Sequence, residues 1–295
     1  MIYEKWRELN IDPLDIKFDN IIIKEIISYP PAGNDVVECI CDVNNKLENV
    51  YIKIERSKVC DFVTEVNNIN YLLNNNLYLK LPKVYEDGMY NEKKYMVLSK
   101  INGLRLSDII NKGIDLKTKN GLLHKYGKEL SIIHNITSNK FKIAKQRIIN
   151  SYPKSEIYKD LDNVKELEKY INYLRENEPE IEYDTFIHGD FHYGNILWEN
   201  NEINGVIDWE YSGKGFKEQD IAWACILRPG QKFMDNIDDI NNFLDGYLEK
   251  GNFDIELFRW CLINGYCHFY LMNINNDEYK NKLFNLIEII KDFKM

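Results

Sequence analysis

The sequence predicts an α+β protein of two lobes, in which a five-stranded sheet with one helix precedes a mainly helical lobe. Short runs rich in β-branched residues fill the first hundred residues, whereas apolar residues at helical spacing dominate after Gly103. A chain of 295 residues is also long for a single hydrophobic core. We therefore expect residues 1–98 and 104–295 to form two lobes, joined by the linker 99–103.

The strands of the first lobe are separated by turns and by one helical segment. The turn 30–35 contains two prolines and Gly33, and it separates the first strand from the second. Apolar residues three and four positions apart predict a helix over Val59–Leu73, between the third and fourth strands. We predict the strands at Ile21–Tyr29, Val36–Val43, Val50–Glu55, Leu81–Val84 and Lys94–Ser99.

The second lobe is predicted to be a series of helices, interrupted by a short strand, a loop and a β-hairpin at residues 186–210. Ser107 is expected to cap the first helix, Asp108–Asn111. The longer helices are predicted from their apolar faces at Leu116–His134, Ile157–Asn177, Lys217–Leu227, Asp238–Lys250, Ile255–Leu271 and Glu278–Asp292.

Composition and charge argue against several classes of protein. Hydrophobic residues make up 44% of the chain and charged residues 29%, which is ordinary for a globular protein. The formal net charge of −9 argues against binding to nucleic acids or anionic membranes and agrees with a cationic substrate. The six cysteines lack metal-binding spacing, and the first residues lack an apolar leader. We expect a cytoplasmic monomer with reduced thiols and no membrane-spanning segment.

The residues that carry chemistry lie within residues 186–210, FIHGDFHYGNILWENNEINGVIDWE. His188, Asp190 and Asn195 have the spacing of a kinase catalytic loop, which places a carboxylate beside the acceptor hydroxyl and an amide oxygen on a metal ion. Asp208 follows where a second metal-binding carboxylate is needed. Asp190 is the expected base, and Asn195 and Asp208 offer the hard oxygens that Mg²⁺ prefers. We expect His188 to brace the loop by hydrogen bonds.

Three features of the first lobe are suited to binding a nucleotide. Glu65 of the predicted helix follows Lys53 of the third strand, and its carboxylate would hold the lysine ammonium on the α- and β-phosphates. Gly33 lies in a turn where backbone N–H groups would approach phosphate oxygens, although an ordinary hairpin turn accounts for this glycine equally well. The backbone of Ser99 and Ile101, in the linker, would contact the nucleotide base.

Two stretches of the chain closely resemble the aminoglycoside phosphotransferase and choline kinase superfamily, above all its bacterial aminoglycoside phosphotransferases. They are residues 188–197, HGDFHYGNIL, and residues 207–210, IDWE. The segments 99–106 and 220–222 are similar to the hinge of that family and to the segment after its metal-binding aspartate. The resemblance implies a protein-kinase-like fold and transfer of the γ-phosphate of ATP or GTP, with Mg²⁺, to a hydroxyl of a small molecule.

The same resemblance implies a role for each matching residue. Asp190 corresponds to the base, and Asn195 and Asp208 correspond to the magnesium ligands. Lys53 and Glu65 correspond to the phosphate-binding ion pair. Ser99 and Ile101 correspond to the hinge contacts. Asp220 would steady the loop from the start of a helix, where the helix dipole also favours a carboxylate. Gly189 stands where protein kinases carry arginine, and Asp-Trp-Glu replaces their Asp-Phe-Gly. Both departures point away from a protein substrate.

The acceptor is expected to bind the second lobe, and two chemical classes stay open. Aminoglycoside amines need carboxylates, and with Glu210 the acidic residues available are Asp235, Asp238, Asp239, Asp245, Glu249, Asp254 and Glu256. A quaternary ammonium of the choline type would need an aromatic cage instead. The aromatic residues available for it are Trp209, Tyr211, Trp223, Trp260, Tyr266, Phe269 and Tyr270.

From these residues we predict an aminoglycoside-type acceptor, with contacts from Trp209, Glu210, Tyr211 and Asp245. A choline- or ethanolamine-type metabolite, or another small metabolite, is the alternative. A kinase-like protein that binds nucleotide without turnover is a third hypothesis. The presence of lysine and both aspartates at the motif positions argues against it.

Overall fold

The computed structural model describes residues 7–56, 61–145, 164–273 and 275–292. The chain divides into two compact units. The first comprises Met1–Asn102 and Asn204–Glu210, and the second comprises Gly103–Ile203 and Tyr211–Met295. The sequence predicts a division at residues 99–103. It does not predict that residues 204–210 return to the first unit.

An antiparallel sheet of five strands makes up most of the first unit, which confirms the prediction for this part of the chain. Each strand pairs antiparallel with its neighbours in the order one, two, three, five, four, counted along the chain. The strands are β1 (Ile21–Ser28), β2 (Asp35–Val43), β3 (Lys46–Ile54), β4 (Val84–Tyr90) and β5 (Lys93–Ser99).

Three hairpins of the protein turn on two residues that both have positive φ. Such turns match the twist of the strands that they join, and asparagine tolerates this backbone conformation better than most residues with a side chain. The turn pairs are Asn44 and Asn45 (φ 52° and 66°), Asn91 and Glu92 (47° and 62°), and Asn200 and Asn201 (51° and 60°). The predicted start of the third strand at Val50 is therefore wrong, because the polar residues 46–49 already pair with β2.

The helix α1 (Phe62–Asn74) covers one face of the sheet. Phe62 and Val66 of this helix pack against Met96 and Leu98 of β5 in one apolar cluster. The helix therefore presents its first two turns to the middle of the sheet. The predicted start of this helix lies outside the described residues.

The opposite face of the sheet is covered by the N-terminal segment. Ile11 and Ile16 pack there with apolar side chains of the first three strands and of β5. Ile52 and Ile54 of β3 belong to the same cluster. Because side chains alternate along a strand, Lys53 points to the face that α1 covers.

The second unit is mainly helical, as predicted. Among the helices of the described ranges, none combines the length and the apolar run that crossing a bilayer requires. The helices are α2 (Leu106–Ile110), α3 (Leu116–His134), α4 (Glu168–Glu176), α5 (Lys217–Cys225), α6 (Ile237–Leu248), α7 (Ile255–Met272) and α8 (Asp277–Lys291). The short strands are β6 (Leu104–Arg105), β7 (Thr185–Ile187), β8 (Ile196–Glu199), β9 (Glu202–Val206), which ends in the first unit, and β10 (Gly213–Gly215).

Several predicted helix boundaries differ from those of the structure. Ser107 lies inside α2, and the carboxylate of Asp108 accepts the backbone N–H of Arg105 instead. The predicted start of the helix Ile157–Asn177 lies outside the described residues; within them, a 3₁₀ turn at Lys165–Leu167 precedes α4, which begins at Glu168. The helix predicted to reach residue 227 ends at residue 225, where the chain becomes extended.

Two glycines allow α3 and α6 to pack at close range. A Cβ atom on Gly127 would lie 1.8 Å from the carbonyl oxygen of Phe243, and one on Gly246 would lie 1.8 Å from the carbonyl oxygen of His124. Each glycine therefore faces the backbone of the other helix. Because backbone atoms cannot move aside as a flexible side chain does, neither position has room for a larger residue.

We expect Gly127→Ala to lower the free energy of unfolding by about 2 kcal/mol or more, because the methyl group forces α3 and α6 apart. Gly121→Ala, on the same helix with nothing within 4 Å of the added Cβ atom, is the matched control. It should raise stability by roughly 0.5–1 kcal/mol, since alanine is the better helix former. Urea unfolding of both variants measures the difference, and equal midpoints would contradict the close packing.

Candidate active site

Lys53 of β3 is held by a carboxylate of α1. Its Nζ lies 2.8 Å from Oε2 and 3.1 Å from Oε1 of Glu65. Glu65 is fully buried and Lys53 is 9% exposed, so the pair is shielded from solvent on the α1 face of the sheet. The sequence predicts this pair, and the structure brings its two members together.

A second carboxylate completes the site around Lys53. Oδ1 of Asp208, which follows β9, lies 2.9 Å from the same Nζ. Burial lowers the pKa of Lys53, but Asp208 and Glu65 outweigh burial and raise it above its ordinary value. Burial is also the main cause that raises the pKa of Glu65 to about 7, while Lys53 opposes it. The lysine is therefore a permanent cation that faces more than one carboxylate.

The backbone at Asp208 is left-handed, with φ of 70°. Aspartate is among the few residues with a side chain that adopt this conformation, and such outliers cluster at functional sites. The turn directs the N–H of Trp209 to Oε1 of Glu65 at 3.3 Å. The segment that follows β9 is thus hydrogen-bonded to α1 through Trp209, the residue after the aspartate.

Trp209 is part of the core of the first unit. Its side chain is fully buried, its indole N–H donates to the carbonyl oxygen of Val206 at 2.9 Å, and its ring lies 5.7 Å from the ring of Tyr78. The prediction that Trp209 contacts the acceptor is therefore wrong. The tryptophan instead anchors the segment that carries Asp208.

Glu210 lies with the carboxylates of the first unit. One oxygen each of Glu65, Asp208 and Glu210 lie within 4.8 Å of one another, and Nδ2 of Asn34 lies 3.5 Å from Oε2 of Glu210. Three neighbouring carboxyl groups beside one lysine place several hard oxygens together, and such oxygens are the ligands that Mg²⁺ prefers. These residues fit a divalent cation. The sequence assigned Asp208 to this role and Glu210 to the acceptor.

The loop between β7 and β8 carries the second group of candidate residues. Asp220, in the first turn of α5, accepts the backbone N–H of His188 at 2.7 Å and that of Gly189 at 2.9 Å. Nδ1 of His188 accepts the N–H of Asp190 at 3.2 Å. Nδ2 of Asn195 donates to the carbonyl oxygen of Asp190 at 3.0 Å. The loop is thus fixed from both of its ends and from α5.

Gly189 is the residue that this loop geometry requires. Its φ is 77°, in the left-handed region, and a Cβ atom would lie 2.2 Å from the carbonyl oxygen of Tyr211. An arginine at this position, as in protein kinases, would meet both obstacles. The left-handed backbone and the nearby carbonyl oxygen of Tyr211 therefore account for the absence of an arginine at this position.

Asp190 is 9% exposed and has a neighbour that sequence reasoning did not assign to it. The indole N–H of Trp223, in α5, donates to Oδ1 of Asp190 at 2.8 Å. Nε2 of His192 lies 3.8 Å from the same oxygen, which is too long for a hydrogen bond. The signal that would have found Trp223 is its spacing, because it follows Asp220 by one helical turn and shares its face of α5.

Of the predicted hinge residues, Ser99 ends strand β5 and Ile101 lies beyond it. The N–H of Ser99 donates to the carbonyl oxygen of Lys83 at 2.8 Å, and the hydroxyl of Ser99 accepts the N–H of Lys83 at 2.8 Å. In a regular ladder that second bond would go to the carbonyl oxygen of Ser99. The N–H of Lys100 donates to Asn49, and Ile101 follows directly.

Gly33 lies in the turn before β2, where Arg7 donates to its carbonyl oxygen at 3.1 Å. A Cβ atom on Gly33 would have nothing within 4 Å, so neither space nor backbone conformation requires a glycine. The structure gives the prediction of a phosphate-binding glycine no support beyond its place in the chain.

Most of the acidic residues predicted to bind the acceptor have structural partners. Asp239 pairs with Lys119 at 2.6 Å, and Asp254 caps α7. Glu249 pairs with Lys128 and Glu256 pairs with Arg259. Of the predicted contacts, Asp245 is exposed on α6, and the ring of Tyr211 lies 6.0 Å from Nζ of Lys145.

The family model described as the phosphotransferase enzyme family matches residues 61–260. The chain belongs to this family. The protein is therefore a phosphotransferase enzyme, and the resemblance on which the sequence prediction rests is confirmed.

Solved structures of several small-molecule kinases share the fold of this phosphotransferase. A thermostable mutant of aminoglycoside phosphotransferase APH(4)-Ia, in a ternary complex with ADP and hygromycin B, matches with a TM-score of 0.60 and 14% identity over 91% of this chain and 93% of that one. Spectinomycin phosphotransferase APH(9)-Ia matches with a TM-score of 0.55 and 16% identity over 88% and 92%. The putative fructosamine-3-kinase of Haemophilus somnus matches with a TM-score of 0.55 and 16% identity over 90% and 92%. The predicted fold is confirmed.

A curated mouse protein, acyl-CoA dehydrogenase family member 10, is 28% identical over 82 residues of the phosphotransferase. The match spans 27% of this chain and 8% of the mouse protein. It therefore concerns one segment of a much longer chain.

We expect Asp220→Asn to lower the free energy of unfolding by about 2–4 kcal/mol, because the amide cannot accept both backbone N–H groups of the loop. Urea unfolding by intrinsic fluorescence measures this loss. Asp87→Asn, at an exposed position of β4, is the control and should change stability by less than about 0.5 kcal/mol. Equal losses in the two variants would show that Asp220 does not hold the loop.

Proposed function

We propose that the protein transfers the γ-phosphate of ATP or GTP to a hydroxyl group of a small molecule. The observation that carries this proposal is the buried Lys53, bound by Glu65 and Asp208, because a phosphate-binding lysine must be held in place by a carboxylate. The second unit supplies Asp190 in a loop that Asp220 fixes. Phosphoryl transfer asks the protein for positioning and for charge, and these residues supply both.

Asp190 is the base in this proposal. It would orient the acceptor hydroxyl and take its proton late, as a loose transition state requires. His188 and Asp220 would act through the loop backbone, since their contacts are to backbone N–H groups. Neither side chain needs to touch the substrate in this role.

Mg²⁺ would be held by Asn195 and Asp208. The amide nitrogen of Asn195 is bound to the carbonyl oxygen of Asp190, so Oδ1 is its ligand atom. Glu210 lies with Asp208 in the carboxylate cluster and is a further candidate ligand. When bound, the ion would supply positive charge against the phosphates. Lys53 would then hold the α- and β-phosphates.

The nucleotide base would contact the backbone of Ser99 and Ile101. The Ser99 hydroxyl replaces the Ser99 carbonyl oxygen as the acceptor for Lys83, and this substitution supports a role for that carbonyl in base recognition. Because a backbone offers both an N–H donor and a carbonyl acceptor, contacts of this kind do not select between ATP and GTP by residue type.

The acceptor that we propose to test first is an aminoglycoside or aminocyclitol antibiotic. The support comes from structural neighbours described with hygromycin B and as a spectinomycin phosphotransferase. The choline-type alternative loses support, because the rings of Trp223, Tyr193 and Phe269 lie 4.8–5.8 Å from the guanidinium carbon of Arg228. The protein's own cation thus occupies the aromatic group that a quaternary ammonium would need.

The acceptor class is tested by ADP release from Mg·ATP with a panel of hygromycin B, spectinomycin, choline, ethanolamine, fructosamines and simple sugars. We expect stimulation by an aminoglycoside or aminocyclitol. Stimulation by choline alone would favour the alternative class. If no acceptor stimulates release while Mg·ATP still raises the melting temperature, the protein binds nucleotide without turnover.

We expect Asp190→Ala to lower transfer by roughly 10²–10⁴-fold, because the acceptor hydroxyl loses its base. Thermal shift with Mg·ATP should show unchanged nucleotide binding. Asp184→Ala, at an exposed position before β7, is the control and should keep full activity. Full transfer by the Asp190 variant would remove it from the role of base.

We expect Lys53→Met to lower kcat/KM for the nucleotide by about 100-fold, equivalent to about 2.7 kcal/mol, because the phosphates lose their cation. Lys46→Met is the matched control, since Lys46 lies on the same strand and is exposed. Steady-state kinetics at varied nucleotide concentration separates the two variants. Equal kcat/KM values would contradict a phosphate-binding role for Lys53.

A further inference from the structure

Trp223 makes a side-chain bond from α5 to the loop that carries Asp190. Its indole N–H donates to Oδ1 of Asp190 at 2.8 Å, and both residues belong to the second unit. An indole N–H can only donate, so Trp223 is always the donor and Asp190 the acceptor in this bond. Of the neighbours of this oxygen described above, Trp223 is the one within hydrogen-bonding distance.

The ring of Trp223 is itself fixed by its surroundings. The guanidinium carbon of Arg228 lies 4.8 Å from the ring centroid, and the ring of Phe269 lies 5.9 Å away. Arg228 also donates to the carbonyl oxygens of Trp223 and Ile226, each at 3.1 Å. The arginine thus binds the ring and the backbone of the same tryptophan. A ring held in this way is a rigid hydrogen-bond donor.

We propose that Trp223 is a positioning residue that fixes the carboxylate of Asp190 for phosphoryl transfer, an inference that rests on the proposed function. A carboxylate turns easily about its Cβ–Cγ bond, and a donor on Oδ1 sets the direction of Oδ2. The carboxylate of Asp190 then meets the acceptor hydroxyl in one orientation. Misplacement of a reacting group by about 1 Å costs on the order of 100-fold in rate, so this orientation matters.

A neutral donor suits this task better than a cation. The indole N–H orients Asp190 without cancelling its charge, whereas a lysine or arginine bound to the same oxygen would form an ion pair with the base. Arg228 lies over the ring and donates to the carbonyl oxygen of Trp223. The arginine thus holds the donor that bonds the carboxylate.

The test is the rate of Mg·ATP hydrolysis, in which water is the acceptor, by the full chain with Trp223→Phe. We expect kcat to fall at least about tenfold while KM for Mg·ATP stays within about twofold, since the indole N–H bonds Asp190 and not a residue proposed to hold the nucleotide. The isostere 3-benzothienylalanine at position 223, which lacks the N–H, should reproduce the loss. 7-Azatryptophan, which retains the N–H, should restore the rate.

Trp260→Phe is the matched control. Trp260 is buried in the same unit, and its indole N–H donates to the carbonyl oxygen of Leu174 at 3.0 Å, away from Asp190. Its loss should cost similar stability and leave kcat within about twofold of the wild type. If Trp223→Phe and Trp260→Phe have the same kcat, the inference is overturned.

Asp190→Ala separates the inference from the function on which it rests. If that variant loses hydrolysis and Trp223→Phe does not, the positioning role fails and the proposed base stands. If Asp190→Ala hydrolyses Mg·ATP at the wild-type rate, the proposed base fails and the inference fails with it. If the wild type has no measurable hydrolysis, the same variants are compared by acceptor-stimulated ADP release, and the same outcomes decide.

Discussion

A carboxylate without access to water must be satisfied by donors of the protein, and Asp220 is such a group. Its oxygens bind two successive backbone N–H groups of the loop that carries Asp190, and its place in the first turn of α5 adds the favourable field of the helix. Trp223, one turn further on, binds the Asp190 side chain. A single helix thus determines both the backbone and the side-chain geometry of the candidate base.

The sequence predicts a contact correctly where the types of two residues and the spacing between them together determine it. Lys53 and Glu65 were paired correctly because a strand lysine and a helix carboxylate at that separation meet when the helix covers the sheet. The family resemblance likewise implied that Asp220 steadies the loop, and the structure shows its contact with the loop backbone. Alternation along strands and apolar spacing along helices were enough to place four of the five strands and most helices. The fourth strand was misplaced, because β4 begins at Val84, where the predicted strand ends.

Other features depend on backbone conformation, which residue types do not specify. The positive φ of Asp208 redirects the two residues that follow, so Trp209 enters the core and Glu210 approaches the carboxylates of Glu65 and Asp208. Neither outcome is visible in the letters DWE. Similarly, an asparagine pair forms a tight turn only because strands pair on both sides of it, and a polar stretch such as residues 46–49 gives no sign of pairing.

The chain enters the first unit twice, and this has a consequence for biosynthesis. Lys53 and Asp208 are separated by 155 residues, so a ribosome adding roughly 5–20 residues per second makes the aspartate about 8–30 s after the lysine. During that interval the nascent first unit holds Lys53 and Glu65 without their third partner. The cluster of Lys53, Glu65 and Asp208 is therefore completed late, after more than two-thirds of these 295 residues have been translated.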